Sequence, residues 1–329
     1  MQMKNRSNSL SLKNAVLVKE IQVKSKKAGL SLWIMILGIV LALAALITMI
    51  VVNSTIVANG SVDSSTFVTF FMVIVVIEAV IFFFITPAVT AGAIANEKER
   101  QTLDVLLTTN MSPWQIIWGK YWSSIANVLV IIMSTLPFLS VVFLFGGVSF
   151  FEVMAVLLTM MCEVMYMGTF GILMSTAVKK TNAASVLCYI MLLAVTFGTI
   201  SLVTMITGVS ETINDIIWSY YPAKSGIVYA KPDWSIVFLL FSPVTTAYDV
   251  MARFFGFDLF YTGSQYGMGT FVELITDSRL LENCILGRFW TVISLAVKLL
   301  SGFGILKLAA LSLNPVKRRK SAGKTKKAD

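Results

Sequence analysis

The chain has 329 residues, of which 57% are hydrophobic and only 13% are charged, with a mean hydropathy of +0.83. A soluble domain carries about 25% charged residues, so this chain cannot cover a surface in water. Its apolar runs reach the roughly 20 residues that span a bilayer, and the formal charge of +9 lies mostly in the two tails. These features exclude a soluble enzyme, a disordered scaffold and a nucleic-acid-binding protein, and they indicate an integral membrane protein.

The first 30 residues form a basic tail. Leu10, Leu17 and Ile21 recur at helical spacing, and lysines fill much of the remainder, among them Lys19 beside Glu20. The pattern predicts an amphipathic helix that lies in the lipid headgroup plane on the cytoplasmic side. The alternative is that these charges direct topology and have no further role.

Six apolar runs follow, and we predict an all-α polytopic membrane protein with six transmembrane helices. Their approximate ranges are 30–52, 67–94, 117–145, 151–178, 183–207 and 285–311. Five spans therefore lie within 31–207, a long external loop covers 208–284, and a basic tail covers 312–329. The stretch between the second and third spans, residues 95–117, is called the elbow below.

The distribution of Lys and Arg predicts the orientation. Both tails are basic, and Lys179 and Lys180 lie between the fourth and fifth spans, whereas the loops at 53–66 and 146–149 contain neither residue type. Cytoplasmic loops of membrane proteins carry the excess of Lys and Arg. Both termini are therefore expected in the cytoplasm, which requires an even number of crossings.

Within the external loop, residues 234–250 are apolar. One further crossing there would place the basic C-terminal tail outside the cell, and Pro243 is expected to break a helix. We predict an apolar hairpin over 234–256 that does not span the membrane. A model with eight spans, in which a second crossing lies nearby, is the alternative.

The elbow combines a charged helix with a second helix start. Arg100 and Asp104 have the i,i+4 spacing of an ion pair, and Ser112-Pro113 with Gln115 predicts a capped helix that begins at the proline. Leucines provide an apolar edge, at Leu103, Leu106 and Leu107. Such a protruding segment can transmit force from a soluble partner to the membrane.

The stretch 97–113 resembles the signature of type-2 ATP-binding-cassette (ABC) exporter permeases, a Glu-x-Glu-x-x-Thr-Leu-(Glu/Asp)-x-Leu-Leu run followed by Ser/Thr-Pro and Gly-Lys. The matching positions are Glu97, Glu99, Thr102, Leu103, Asp104, Leu106, Leu107, Gly119 and Lys120. Pro113 follows Ser112 here, whereas the family often places its proline nearer the leucines. The sequence from Asn14 to Glu20 is similar to the family's opening, with Ala15 in place of proline.

The resemblance implies a permease subunit of the bacterial or archaeal plasma membrane, with an interface helix, a coupling helix in the elbow and six spans. It also implies a separate ATPase subunit that binds ATP and Mg²⁺, and a second permease subunit, identical or different. The coupling residues it implies are the matches at 97–107 together with Arg100, Ser112 and Pro113. The sequence contains no G-x-x-x-x-G-K-[ST] loop, so this chain is not expected to be the ATPase. No motif in it predicts a bound cofactor.

Three charged residues lie inside predicted spans, namely Glu78, Glu163 and Lys298. A charge at mid-bilayer costs roughly 2.5–3.5 kcal/mol or more unless it is paired or hydrated. Lys298 and one of the acids could form a structural pair, or all three could line a translocation path. They also leave open a proton- or ion-coupled carrier that uses the two glutamates. An intramembrane enzyme is disfavoured, because the chain contains no histidine.

Overall fold

The computed structural model describes residues 28–59, 64–103, 112–145, 148–220, 233–255 and 289–313, which are helical and include no strand. The elements in chain order are α1 (Ala28–Asn59), α2 (Ser64–Thr90), α3 (Gly92–Glu99), α4 (Pro113–Phe145), α5 (Phe150–Ala177), α6 (Thr181–Tyr220), a 3-10 helix (Asp233–Phe241), α7 (Pro243–Phe255) and α8 (Trp290–Ser312). The predictions for the N-terminal interface helix (Leu10, Leu17, Lys19, Glu20, Ile21) and for Asp104, Leu106 and Leu107 fall outside the described residues.

Five helical segments of the described chain are long and apolar enough to cross a membrane. They are Phe71–Glu99, Pro113–Pro137, Phe150–Ala177, Thr181–Ile206 and Trp290–Ser312. Helix α1 coincides with the predicted first span and contains a shorter apolar stretch, Met35–Val51. The all-helical membrane architecture is confirmed, and the layout of six spans stays a prediction.

The structure describes two parts of the predicted external loop. Helix α6 continues to Tyr220, more than three helical turns beyond residue 207, whereas its segment of span length ends at Ile206. Residues 233–255 form the 3-10 helix and α7, and Pro243 is the first residue of α7, so the helix is interrupted at the proline as predicted. Proline is tolerated there because the first amides of a helix have no intrahelical acceptor. That this segment does not span the membrane stays a prediction.

The chain divides into two compact units, residues 1–189 with 301–329, and residues 190–300. In the first unit, α5 approaches α2 and α4 closely through two glycines. A Cβ atom on Gly171 would lie 1.9 Å from Thr90 Oγ1, and one on Gly168 would lie 2.3 Å from Ile125 Cδ1. Only residues without a side chain allow this approach, which is common where membrane helices pack.

The second unit has its own apolar core, formed by Leu239 and Leu240 of the 3-10 helix, Val203 of α6 and Trp290 of α8. All four side chains are buried. The 3-10 helix is therefore held between two long helices within this unit.

Candidate functional site

The elbow begins as a direct continuation of α2. Ala91 separates α2 from α3 and has no side-chain oxygen with which to cap the new helix. Ser175 of α5 fulfils this role, since its hydroxyl oxygen accepts hydrogen bonds from the amides of Ile94 (2.8 Å) and Ala95 (2.7 Å). The start of α3 is thus fixed to α5 by a cap from another helix.

The end of α3 is a Schellman motif. The amide of Gln101 donates to the carbonyl of Lys98 (3.1 Å), and the amide of Thr102 donates to the carbonyl of Glu97 (2.9 Å). Gln101 has φ 58°, the left-handed conformation that glycine usually provides in this motif. The chain therefore reverses at Gln101 and buries the side chain of Leu103.

Three consecutive charged residues at the end of α3 reach three different helices. Glu97 forms an ion pair of 2.5 Å with Lys120 of α4. The ammonium of Lys98 donates to the carbonyl of Thr176 and, at 3.4 Å, to that of Val178, at the C-terminal end of α5. A positive charge is favourable there because the last carbonyls of a helix carry partial negative charge.

Glu99 completes this set at the N-terminal end of α6. Its Oε2 accepts hydrogen bonds from both the amide (3.1 Å) and the hydroxyl (2.8 Å) of Thr181, the first residue of α6. A carboxylate at a helix N-terminus is favoured by the exposed amides and by the helix dipole. We call Glu97, Lys98 and Glu99 the charge clamp.

The predicted cap at the start of α4 is confirmed. The amide of Gln115 donates to the Ser112 hydroxyl (3.4 Å), and the Gln115 side chain accepts from the amide of Ser112 (3.2 Å), a capping box. Pro113 is the first residue of α4, as predicted. Ser149 and Glu152 form a second capping box at the start of α5. It was not predicted, although its S-x-x-E pattern is visible in the sequence.

The outward surface of the described elbow includes Asn96, Glu99, Arg100, Gln101 and Thr102, all of which are exposed. The Nε of Arg100 donates to the side-chain oxygen of Asn96 over 3.1 Å. The predicted pairing of Arg100 with Asp104 stays a prediction. The described part of the elbow therefore presents polar groups on its exposed surface.

The two acids of the predicted spans are both buried in the first unit. Glu78 of α2 is fully buried, and neither of its carboxyl oxygens has a hydrogen-bond partner within the described chain. The Thr135 hydroxyl approaches this carboxyl but donates to the carbonyl of Ile132 (2.7 Å). Glu163 of α5 is 5% exposed. For these acids, the structural pair with Lys298 and the translocation path both stay predictions.

Lys298 lies in the second unit and is 1% exposed. Its ammonium donates to the hydroxyl of Thr246 on α7, which shares a hydrogen bond of 2.8 Å with the hydroxyl of Ser294. One helical turn away, towards the C-terminal end of α7 and the N-terminal end of α8, the Thr291 hydroxyl donates to Asp249. We call these five residues the hydroxyl cluster. It joins α7 to α8, and the sequence analysis missed every member except Lys298. The predicted pair of Lys298 with Glu78 or Glu163 stays a prediction.

Aromatic side chains mark the elbow end of the first unit. The ring of Phe303 on α8 lies 5.3 Å from Trp114 and 6.2 Å from Trp118 on α4, measured between ring centroids. The Lys307 ammonium lies 4.7 Å from the Phe303 ring centroid. The start of α4 and the C-terminal half of α8 are therefore neighbours.

The residues that the sequence analysis missed in the elbow are Lys98, Ser175 and Thr181. Lys98 lies within the signature but at a position where the signature allows any residue, and the other two lie about 80 positions away. No group of three or more His, Cys, Asp or Glu side chains in the described residues could hold a metal ion.

Comparison with known proteins agrees with this geometry. A family model described as "ABC-2 family transporter protein" matches residues 3–310, nearly the whole chain. No curated protein matches the sequence. The family match includes the elbow, all the described helices up to residue 310 and both buried acids, and it confirms the family that the Glu97–Pro113 stretch resembles. The chain therefore belongs to the ABC-2 family of transporter proteins, the type-2 ABC permeases.

Proposed function

We propose that this chain is the membrane-spanning half of an ATP-driven exporter of the bacterial or archaeal plasma membrane. In this proposal it has six spans and two cytoplasmic termini, and it pairs with a second permease half, identical or different. A separate ATPase subunit binds ATP and Mg²⁺, and this chain hydrolyses nothing itself. The family match supports the transport role.

The observation that carries the proposal is the construction of the elbow. It continues directly from an apolar helix, ends in a sharp reversal at Gln101 and exposes polar groups between two membrane helices. Contacts to α4, α5 and α6 hold it in place. A segment with an exposed tip and a fixed base is suited to receive a displacement from a soluble partner.

The positions of the basic residues support the proposed orientation. Lys98, Lys120, Lys179 and Lys180 lie at the elbow end of the first unit, and the sequence of the C-terminal tail is also rich in Lys and Arg. An excess of Lys and Arg marks the cytoplasmic side. The elbow and the C-terminal tail are thus assigned to the cytoplasm together.

In the proposed mechanism, ATP binding closes two ATPase domains, and each domain carries the elbow of one permease half with it. The helices joined to the elbow then tilt, and the pathway between the halves changes from inward to outward access. A partner can drive this change only if its nucleotide states bind the two conformations with different affinity. The elbow surface supplies the contact on which that difference depends.

The test is to purify the full chain with an affinity tag from its native membrane in mild detergent. We expect a co-purifying subunit that contains a G-x-x-x-x-G-K-[ST] loop, together with ATP hydrolysis by the captured complex. Arg100→Glu reverses an exposed charge at the elbow tip and should lower the amount of ATPase captured. A chain that arrives alone and moves solute on an ion gradient would overturn the proposal.

A further inference from the structure

The charged residues of the elbow are engaged within the chain. Glu97 contacts Lys120, Lys98 contacts the last carbonyls of α5, and Glu99 contacts Thr181. By the family signature, Glu97 and Glu99 were candidates for direct contact with an ATPase. Their described partners indicate a different use.

We propose that the charge clamp acts as a set of positioning residues, which lock the elbow to the adjoining ends of α4, α5 and α6 so that these ends move as one body. The inference rests on the proposed function and assigns a role inside it. The elbow would then deliver its displacement to the fourth and fifth predicted spans as well as to the second and third, which flank it in sequence.

The connection between α5 and α6 is short enough to pass a displacement of α3 to both helices. Only three residues, 178–180, separate the two helices. Lys98 holds the last turn before this connection, and Glu99 holds the first residue after it. A connection this short cannot absorb much movement, so displacement of α3 displaces both helix ends.

Two uncharged contacts add to the clamp from the same side. The Ser175 hydroxyl accepts from amides in the first turn of α3. Gly171 allows α5 to approach Ala91, the residue just before α3, since a Cβ added at Gly171 would lie 3.2 Å from the amide nitrogen of Ala91. One exposed ion pair stabilises little. Several contacts that fix one short helix along its whole length act as a network, in which the loss of one member weakens the others.

The proposal divides the elbow into two surfaces. Glu97, Lys98 and Ser175 are at least partly buried against the chain's own helices, and Glu99 is exposed but accepts from Thr181, whereas Asn96, Arg100 and Gln101 are exposed at the tip. Substitution of the first set should disturb transmission without release of the ATPase. Substitution of the second set should release the ATPase without disturbing the position of α3.

The first measurement needs no partner. Spin labels are placed at the exposed positions Asn96 and Ala177 of the full chain in lipid nanodiscs, with Cys162, Cys188 and Cys284 replaced by serine. We expect a narrow distance distribution that broadens or shifts in the variant Lys98→Met/Glu99→Gln. Lys98→Arg keeps a positive donor and should retain the narrow distribution, and Arg100→Gln is the matched exposed control. An unchanged distribution in Lys98→Met/Glu99→Gln would overturn the clamp.

The second measurement uses the captured complex. We expect Lys98→Met/Glu99→Gln to retain the wild-type amount of ATPase and to lower the permease-dependent stimulation of ATP hydrolysis roughly tenfold, within the usual range of coupling between sites. Loss of capture with an unchanged label distance would show direct contact with the ATPase and would overturn the clamp while the proposed function stands. If the wild-type chain captures no ATPase, the proposed function fails, and the label distances still decide whether the clamp exists.

Discussion

The elbow and the hydroxyl cluster are two polar networks among the residues that the structure describes, and they are built differently. In the elbow, charged side chains meet helix ends at a partly exposed border, as Lys98 and Glu99 do. In the hydroxyl cluster, the Thr246 hydroxyl accepts from a buried lysine and shares a hydrogen bond with Ser294 between α7 and α8. Contacts near the surface are individually weak and hold a helix only as a set, whereas a buried polar group is costly to leave without a partner. The elbow therefore depends on several contacts together, and the hydroxyl cluster depends on each of its buried members.

The largest expected effect concerns the packing beneath the elbow. We expect Gly171→Ala to destabilise the chain by about 1–3 kcal/mol or more, because the new Cβ would lie 1.9 Å from Thr90 Oγ1 and 2.6 Å from Thr90 Cβ. The midpoint of thermal unfolding in detergent, followed by tryptophan fluorescence, measures the change. Gly304→Ala in α8 is the control, since no atom lies within 4 Å of its added Cβ. Equal midpoints for the two variants would show that the elbow does not depend on this close approach.

The next effect concerns the hydroxyl cluster. Thr246→Val keeps the shape of the side chain but removes a hydroxyl that accepts from the buried Lys298 ammonium, and we expect a loss of about 1–3 kcal/mol. A smaller value, near the average of about 0.6 kcal/mol for hydrogen bonds between membrane helices, would indicate that the site rearranges.

A double-mutant cycle with Ser294→Ala isolates the contact between the two hydroxyls. Coupling is expected because the residues share a hydrogen bond of 2.8 Å. Strictly additive losses in the unfolding midpoint would contradict a shared network in the hydroxyl cluster.

The two networks also differ in how far sequence could predict them. The cap of α4 was predicted correctly, because Ser112 and Gln115 are three positions apart and their pattern is local. The partners of Lys98 and Lys298 were not predicted, since Thr176 and Thr246 are distant in sequence. An apolar run predicts a helix and its length, but it does not specify which helix faces which. Periodicity therefore predicted the helices and left the contacts between them open.

A moderate effect tests the cap between helices. Ser175→Ala removes the oxygen that accepts from Ile94 and Ala95, and we expect destabilisation of about 1 kcal/mol, the usual effect of losing a helix cap. Hydrogen exchange at the start of α3, followed by mass spectrometry, should accelerate in the variant. Ser149→Ala at the start of α5 removes a cap outside the elbow and should leave exchange in α3 unchanged. Equal acceleration in both variants would mean that the effect is global.

The smallest effect lies in the backbone at Gln101. Its φ of 58° places a side chain in the left-handed region, which costs a non-glycine residue about 1 kcal/mol or more. Gln101→Gly relieves this strain but raises the entropy of the unfolded chain, so we expect a net gain between about 0 and 1 kcal/mol. Gln101→Val keeps the positive φ with a β-branched side chain and should destabilise the elbow, because such residues rarely adopt it. The measurement is therefore the difference between the unfolding midpoints of Gln101→Gly and Gln101→Val. A higher midpoint for Gln101→Gly would show that residue 101 keeps its positive φ in the folded protein in solution. No difference would mean that the motif opens without cost, and that the elbow is held by its side-chain contacts alone.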